Sequence, residues 1–430
     1  MDPSGRGQRI ARARHRRGLS QAALAGLVGR SESWLSQVER GLRQVDSHSV
    51  LMSLAEVLRV DVADLTGDEP AEHRAARYTA AQEIERAMMA YDGLESVIGG
   101  DEAERPPDVA RLLLGLGRVN RAYQAARYEE AGRMLPALIR GVETATRTCP
   151  RSDAITVTRC RCQIYQATAM VLSRVGETAL AWTAADRAMT AAEHAEAGML
   201  AAVSAYRLAH VFIRRRQTTQ ARDLTTGAAN ALYRSGGHDD PARLSVVGSL
   251  QLADALAAAA EFDRAAAGRS LAQAQRTADR LGQDRNDHWT AFGPINVRIH
   301  QISAAVAFGH ADTAVETGDG LDLQRLPAGL AGRRSQVSLD LARAYAQQRH
   351  DAAAVNMLLD AERIAPQLVR YDTATHDLLT LLLRREHRAS TPQLRPLARR
   401  AGQSDPDPAQ PCGLCTYASR TAQRPHMQLG

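Results

Sequence analysis

Between about residue 109 and residue 388 the chain repeats itself on small residues, and this recurrence limits the fold more than any other feature. One copy runs Leu341-Ala342, Tyr345, Ala354, Leu358, Ala361 and Pro366. The same skeleton returns as Leu252-Ala253, Leu256, Ala265 and Ala272, as Ala209, Phe212, Ala221 and Ala228, and as Ala169, Leu172, Ala181 and Ala188. A weaker copy centres on Ala314, and a first one includes Tyr128-Glu129-Glu130-Ala131. From Ala181 to Ala354 the anchor alanines stand 40, 44, 49 and 40 residues apart. Small residues let paired helices approach, and a unit of this size must cover its apolar face with its neighbours. Hydrophobic residues make up 44% of the chain but aromatics only 4%, the excess being alanine and leucine. That balance favours close-packed helices over sheets. The chain is predicted to be all-α.

The skeleton resembles the tetratricopeptide repeat (TPR), although each interval exceeds its consensus of roughly 34 residues. The resemblance implies an α-solenoid over residues 109–400 whose hairpins curve around a concave groove. Its register puts Gln163, Gln166 and Arg174 of one first helix, and Tyr206, His210 and Arg214 of the next, toward that groove. Asp254, Asn296 and Arg343 follow on later first helices. Such side chains suit an extended peptide's backbone, a small acid or a protein partner.

A second pattern stands near the N-terminus: Ser20 to Gly41, SQAALAGLVGRSESWLSQVERG. Ser20 sits where a helix cap belongs, and a second helix opens at Ser31 or Glu32. Gly29 and Gly41 sit where a turn and a helix stop favour a residue without a Cβ. Leu24, Ala25, Leu27, Val28, Leu35 and Val38 supply apolar positions for a small core. The order S-Q-x-x-L-A, then Ser, then a hydrophobic residue before E-R-G resembles the Xre-like (lambda repressor and Cro) helix-turn-helix family. That resemblance covers about residues 6–67 and implies a five-helix DNA-binding head, with a lead helix over 7–17, a fourth from Val50 to Leu58 and a last from Val62 to Leu65. In the family, the start of the second helix of the motif reads bases in the major groove. Carried over by position, the readers are Arg30, Ser31, Glu32, Ser33 and Ser36, with Gln37 beside them. Gln21 corresponds to a phosphate anchor, and Arg40 and Arg43 flank the backbone. Glu39 is expected to be structural, pairing with an arginine such as Arg40 or Arg43 or bracing the turn, and Trp34 to fill the core edge or touch DNA.

Charge agrees with this assignment. The net charge is +6, every one of the 54 Lys+Arg residues is arginine, and residues 1–67 hold ten Arg against seven Asp+Glu. Arginine's planar fork suits phosphate, and the lead helix repeats Arg9, Arg12 and Arg16 on one face. The arginine-rich N-terminus lacks a signal peptide's apolar core, and no apolar run reaches the roughly 18–20 residues of a membrane span. A cytoplasmic location with reduced thiols is expected.

Catalytic signatures are missing. A Walker loop needs lysine, and neither H-E-x-x-H nor G-x-S-x-G occurs. Cys412-x-x-Cys415, with His426 beyond, has no second pair to complete a zinc site. Cys160 and Cys162 lie on different sides of a helix. No enzyme activity, metal or cofactor is expected. Gly67-Asp68-Glu69-Pro70 and the Gly99–Asp108 stretch divide the chain into a head (1–67), a helical connector and hinge (68–108), the solenoid (109–400) and a disordered tail (401–430). The expectation is a regulator that binds double-stranded DNA as a homodimer, with a solenoid that dimerises or senses an effector. The alternative is a TPR scaffold with vestigial DNA binding.

Overall fold

Ser20 and Ser31 each cap a helix, and the head is built on those two caps. The computed structural model describes residues 3–43, 45, 48–58, 60, 65, 78–90, 107–237 and 239–403. The chain forms two compact units, Met1–Arg77 and Tyr78–Gly430. Among the described residues every regular element is a helix.

The first unit holds α1 (Pro3–Arg16), α2 (Gln21–Leu27), α3 (Glu32–Glu39) and α4 (His48–Leu58). Ser20 Oγ accepts from the Ala23 N–H at 3.1 Å and Ser31 Oγ from the Trp34 N–H at 3.2 Å. Each bond satisfies an N–H that the helix start leaves without a carbonyl. Gly29 (φ 65°) turns the chain between α2 and α3, and Gly41 (φ 73°) stops α3. Ile10, Leu24, Ala25, Leu35, Val38, Leu51, Leu54, Leu58 and Leu65 form one buried core. Leu27 does not join it: it is 62% exposed, because Leu24, Ala25 and Val28 already define the inward side of this short helix. Of the expected fifth helix, residues 62–64 lie outside the described residues.

The second unit opens with α5 (Ala81–Met89), which packs on the first hairpin. Six helical hairpins follow: α6 (Val109–Gln124) with α7 (Tyr128–Thr148), α8 (Ala154–Arg174) with α9 (Thr178–His194), and α10 (Gly198–Arg214) with α11 (Thr218–Arg234). The other three are α12 (Pro241–Ala260) with α13 (Arg264–Leu281), α14 (Pro294–Ala307) with α15 (Ala311–Asp319), and α16 (Ala331–Gln347) with α17 (Asp351–Ile364). First helices pack on first helices of the next hairpin, as a TPR-like solenoid requires. Three short helices, α18 (Pro366–Tyr371), α19 (Thr373–Arg384) and α20 (Leu394–Arg400), cover the far end.

One corner geometry serves all six hairpins. A residue with left-handed backbone, in turn Ala126, Gly176, Arg216, Phe262, Gly309 and Arg349, precedes by five positions a fully buried alanine: Ala131, Ala181, Ala221, Ala267, Ala314 and Ala354. The first copy, on Ala131, is thus a complete member. The fourth repeat is two residues out of the expected register: Ala265 and Ala272 are exposed, while Ala267 and Ala274 are buried. In an alanine-rich helix, neighbouring alanines offer several registers, and the corner residue decides between them.

The expected open groove is instead closed, because the hairpins wind until the ends of the array meet. α16 packs against α6. The side-chain amides of Gln124 and Asn286 exchange hydrogen bonds of 2.8 and 2.9 Å. Arg174 donates to Gln336 at 3.1 Å, the Glu129 N–H donates to Gln367 Oε1 at 2.9 Å, and the Tyr371 hydroxyl donates to the Glu129 carboxylate. The first helices therefore surround a lumen.

Candidate nucleic-acid interface and solenoid lumen

Arg30, Ser31, Glu32 and Ser33 are exposed at the start of α3, and Arg40 and Arg43 are exposed at its far end. Ser36 and Gln37 are half-buried between them. The Ser31 hydroxyl accepts the cap bond and keeps its own proton to donate. The Arg30 guanidinium lies over the Trp34 ring, 5.8 Å from its centroid. Trp34 itself packs half-buried against the head core, so it fills the core edge and holds Arg30 out.

Glu39 is structural and pairs with an arginine, but that arginine is Arg14 and not Arg40 or Arg43. Its carboxylate accepts from Arg14 Nε at 2.6 Å and Arg14 Nη2 at 2.9 Å, and from Gln21 Nε2 at 2.6 Å. Arg40 turns back to the Ser36 carbonyl at 3.2 Å, away from Glu39. One carboxylate thus joins α1, α2 and α3, and both ionic side chains are buried. Burial pushes the Glu39 carboxyl up, but hydrogen bonds from Arg14 and Gln21 and the nearby positive charges outweigh it, and the net shift is downward. The Gln21 side chain, expected on phosphate, is thereby occupied within the head. Arg9 is also engaged inside, donating to the Leu65 carbonyl at 3.1 Å. The side chains of Arg12 and Arg16 lie outside the described residues.

Gly7 is a feature that sequence reasoning passed over. A Cβ there would lie 2.2 Å from the Val38 carbonyl oxygen and 2.8 Å from that of Glu39. Helix α1 therefore lies directly on the backbone of α3, and only glycine permits it. The signal was present as an interior glycine in an otherwise arginine-rich helix.

In the second unit, Gln163 and Gln166 line one cavity with Leu116, Asn120, Tyr123, Met170, Arg207, His288 and Trp289. Gln166 also ties α8 to α10, donating to the Leu200 carbonyl at 3.0 Å and to Ser204 Oγ at 2.9 Å. Arg174 donates to the Tyr128 hydroxyl at 3.4 Å, and Tyr206 meets His210 edge-on, with ring centroids 4.8 Å apart. Arg343 bridges Asp340 (2.6 Å) and Asp372 (2.9 Å). Asn296 is buried with its side-chain oxygen unpartnered. Asp254 departs from the expected position. It faces the second helices, accepting from Arg222 at 3.3 Å and Ser270 at 2.5 Å. The two-residue register error in this hairpin explains the misplacement.

Arg207, Asn120 and Trp289 were not singled out from sequence. Trp289 arrives on the 282–293 loop, whose position no repeat pattern forecasts. Phe292 seats this loop by covering Gly248, where any Cβ would strike the ring. Asp284 caps α14 through the Ile295 and Asn296 N–H groups at 3.2 and 3.3 Å.

Burial raises the thiols of Cys160 and Cys162 to about 11, so both stay protonated. Cys412, Cys415 and His426 lie outside the described residues. Among the described residues no cluster of ligating side chains suits a metal, and no helix is long and apolar enough to cross a membrane.

No curated protein matches the chain. A crystal structure of Bacillus thuringiensis PlcR in complex with the peptide PapR7 and DNA is similar over 82% of this chain and 99% of that one, at 13% identity and a TM-score of 0.32. Residues 7–66 match the helix-turn-helix domain family, so the chain carries a helix-turn-helix domain at its N-terminus.

Proposed function

We propose that the chain is a sequence-specific DNA-binding transcriptional regulator that acts in the cytoplasm. The observation that carries this reading is the exposed face of Arg30, Ser31, Glu32, Ser33, Arg40 and Arg43 on a short helix held by a buried ion pair. A rigid helix presenting short polar side chains at its N-terminus suits base edges, with arginines at both ends for phosphate. Glu32 is suited to accept from cytosine N4, and Ser33 to donate to a base or phosphate. The chain works as a homodimer in this reading, because one head makes few base contacts and two gain affinity and palindromic specificity. The TPR-like unit provides the dimer contact or senses an effector, and the protein is not an enzyme.

Salt dependence tests the electrostatic part. For the full chain on duplex DNA, log K should fall linearly with log salt, and each phosphate-binding arginine contributes about 0.9 to that slope. Arg40→Ala and Arg43→Ala should each flatten it by about that amount per head. Unchanged slopes in both variants would remove these residues from the interface.

A further inference from the structure

The lumen of the second unit gathers more positive charge than it neutralises. Arg207 and Arg214 of α10 and Arg333 of α16 all act on His210, Arg207 also feels Arg333, and Arg214 also feels Arg174 of α8. The carboxylates that face them, Asp340 and Asp372, are both held by Arg343. Arg207, almost fully buried, donates among the described residues only to the His288 and Trp289 carbonyls, at 3.0 and 3.1 Å. Arg333 reaches the Tyr206 hydroxyl at 3.5 Å. Arg214 makes no hydrogen bond to the described residues, and the carboxylate whose field it feels, Asp372, is engaged elsewhere. His210 adds no counter-charge: burial and the surrounding cations hold it neutral.

Next to these cations lies the cavity of about 180 Å³ on which Arg207, Tyr123 and Trp289 converge. Tyr123 joins the two regions, since it also feels Arg174, Arg207 and Arg214. The amides of Asn120 and Gln163 line the cavity without a hydrogen-bond partner among the described residues. Its cover is strained, with left-handed backbone at His288 (49°), Trp289 (60°) and Ala291 (55°). Non-glycine residues keep such conformations where the surroundings enforce them, commonly at ligand clamps.

We propose that this lumen binds a small organic anion, its carboxylate or phosphate on Arg207, Arg214 and Arg333 and its body against Trp289 and Tyr123. A cavity of roughly 150 Å³ holds one benzene ring, so the space here takes a single ring and not an extended peptide. A buried guanidinium without a carboxylate pairs strongly with a planar acid group. The inference rests on the effector-sensing half of the proposed function and assigns its chemical class.

The test uses the full chain with sodium benzoate, inorganic phosphate and uncharged benzamide. Binding is read as the fluorescence change that Trp289→Phe abolishes, and as the thermal midpoint of the second unit. A saturable response to benzoate or phosphate, absent with benzamide and lost in Arg214→Gln and Arg333→Gln, supports the site; which acid responds tells a carboxylate ligand from a phosphoryl one. Ligand-free Arg214→Gln should also melt higher than the parent, since it relieves like-charge crowding. No saturable response to either acid, a response equal to that with benzamide, or a lower midpoint in both glutamine variants overturns it. DNA affinity measured in the same samples separates the two readings: anion binding that leaves DNA affinity unchanged keeps the site and refutes sensing.

Discussion

Removing the Glu39 carboxylate should strongly destabilise the head while leaving the solenoid intact. Glu39 accepts hydrogen bonds from Arg14 and Gln21, and the Arg14 and Glu39 side chains are only 7% and 6% exposed. Glu39→Ala leaves the Arg14 guanidinium buried without its counter-ion, a change that costs about 3–5 kcal/mol. A head of this length has a total stability on the order of 3–10 kcal/mol. The variant therefore loses about three-tenths or more of that stability, and at the low end all of it. The assay is urea unfolding of Trp182→Phe/Trp289→Phe protein, in which Trp34, packed on the head core, is the remaining tryptophan. The Trp34 midpoint should fall steeply, with DNA binding failing in parallel, although Glu39 faces inward. The Arg14→Met/Glu39→Leu double variant should recover most of the stability, because replacing a buried pair by apolar groups is often neutral or better. A loss below about 1 kcal/mol in Glu39→Ala would refute the bracing role, since that is the value of an exposed pair.

Three further outcomes follow from the same structure. A carboxyl whose folded pKa lies below its unfolded value adds stability above the unfolded value and loses it as the pH falls through the folded one. Glu39 is shifted downward, so the head should be stable above about pH 4.3 and weaken progressively below it, with Glu39→Gln flattening that profile in Trp34-monitored acid titration. Gly7→Ala sets a methyl 2.2 Å from the Val38 carbonyl oxygen and should cost about 1–3 kcal/mol of head stability in the same urea assay. Phe262→Gly should stabilise the second unit. Phe262 is 75% exposed with φ 58°. Relieving a left-handed residue gains about 1–2 kcal/mol against roughly 0.4–1 for glycine's freer unfolded chain, and a lower melting temperature would contradict the corner geometry.

Local signals carried far in this sequence, and non-local ones did not. Ser20, Ser31, Gly29 and Gly41 act through their own backbone and nearest neighbours, so the positions of α2 and α3 could be read directly. The repeat was readable because a buried alanine must follow each corner, yet alanine is so common here that Ala265 stood in for Ala267. The error moved Asp254 to the wrong side of its helix. The Arg14–Glu39 pair joins α1 to α3 across 25 residues of chain, and nothing at either residue's sequence position names the other. Closure of the solenoid depends on Glu129 meeting Gln367, 238 residues along the chain, and Gln124 is met by Asn286 from a loop that no periodicity describes. Arg207 and Trp289 therefore entered the lumen unannounced.

Selection of genomic fragments by the full-length protein tests the central claim most directly. The account predicts enrichment of a few sites sharing an inverted-repeat sequence, with enrichment lost in Arg30→Ala/Ser33→Ala protein whose Trp34-monitored folding is unchanged. Recovery of no common sequence, or the same sites from the double variant, would contradict it.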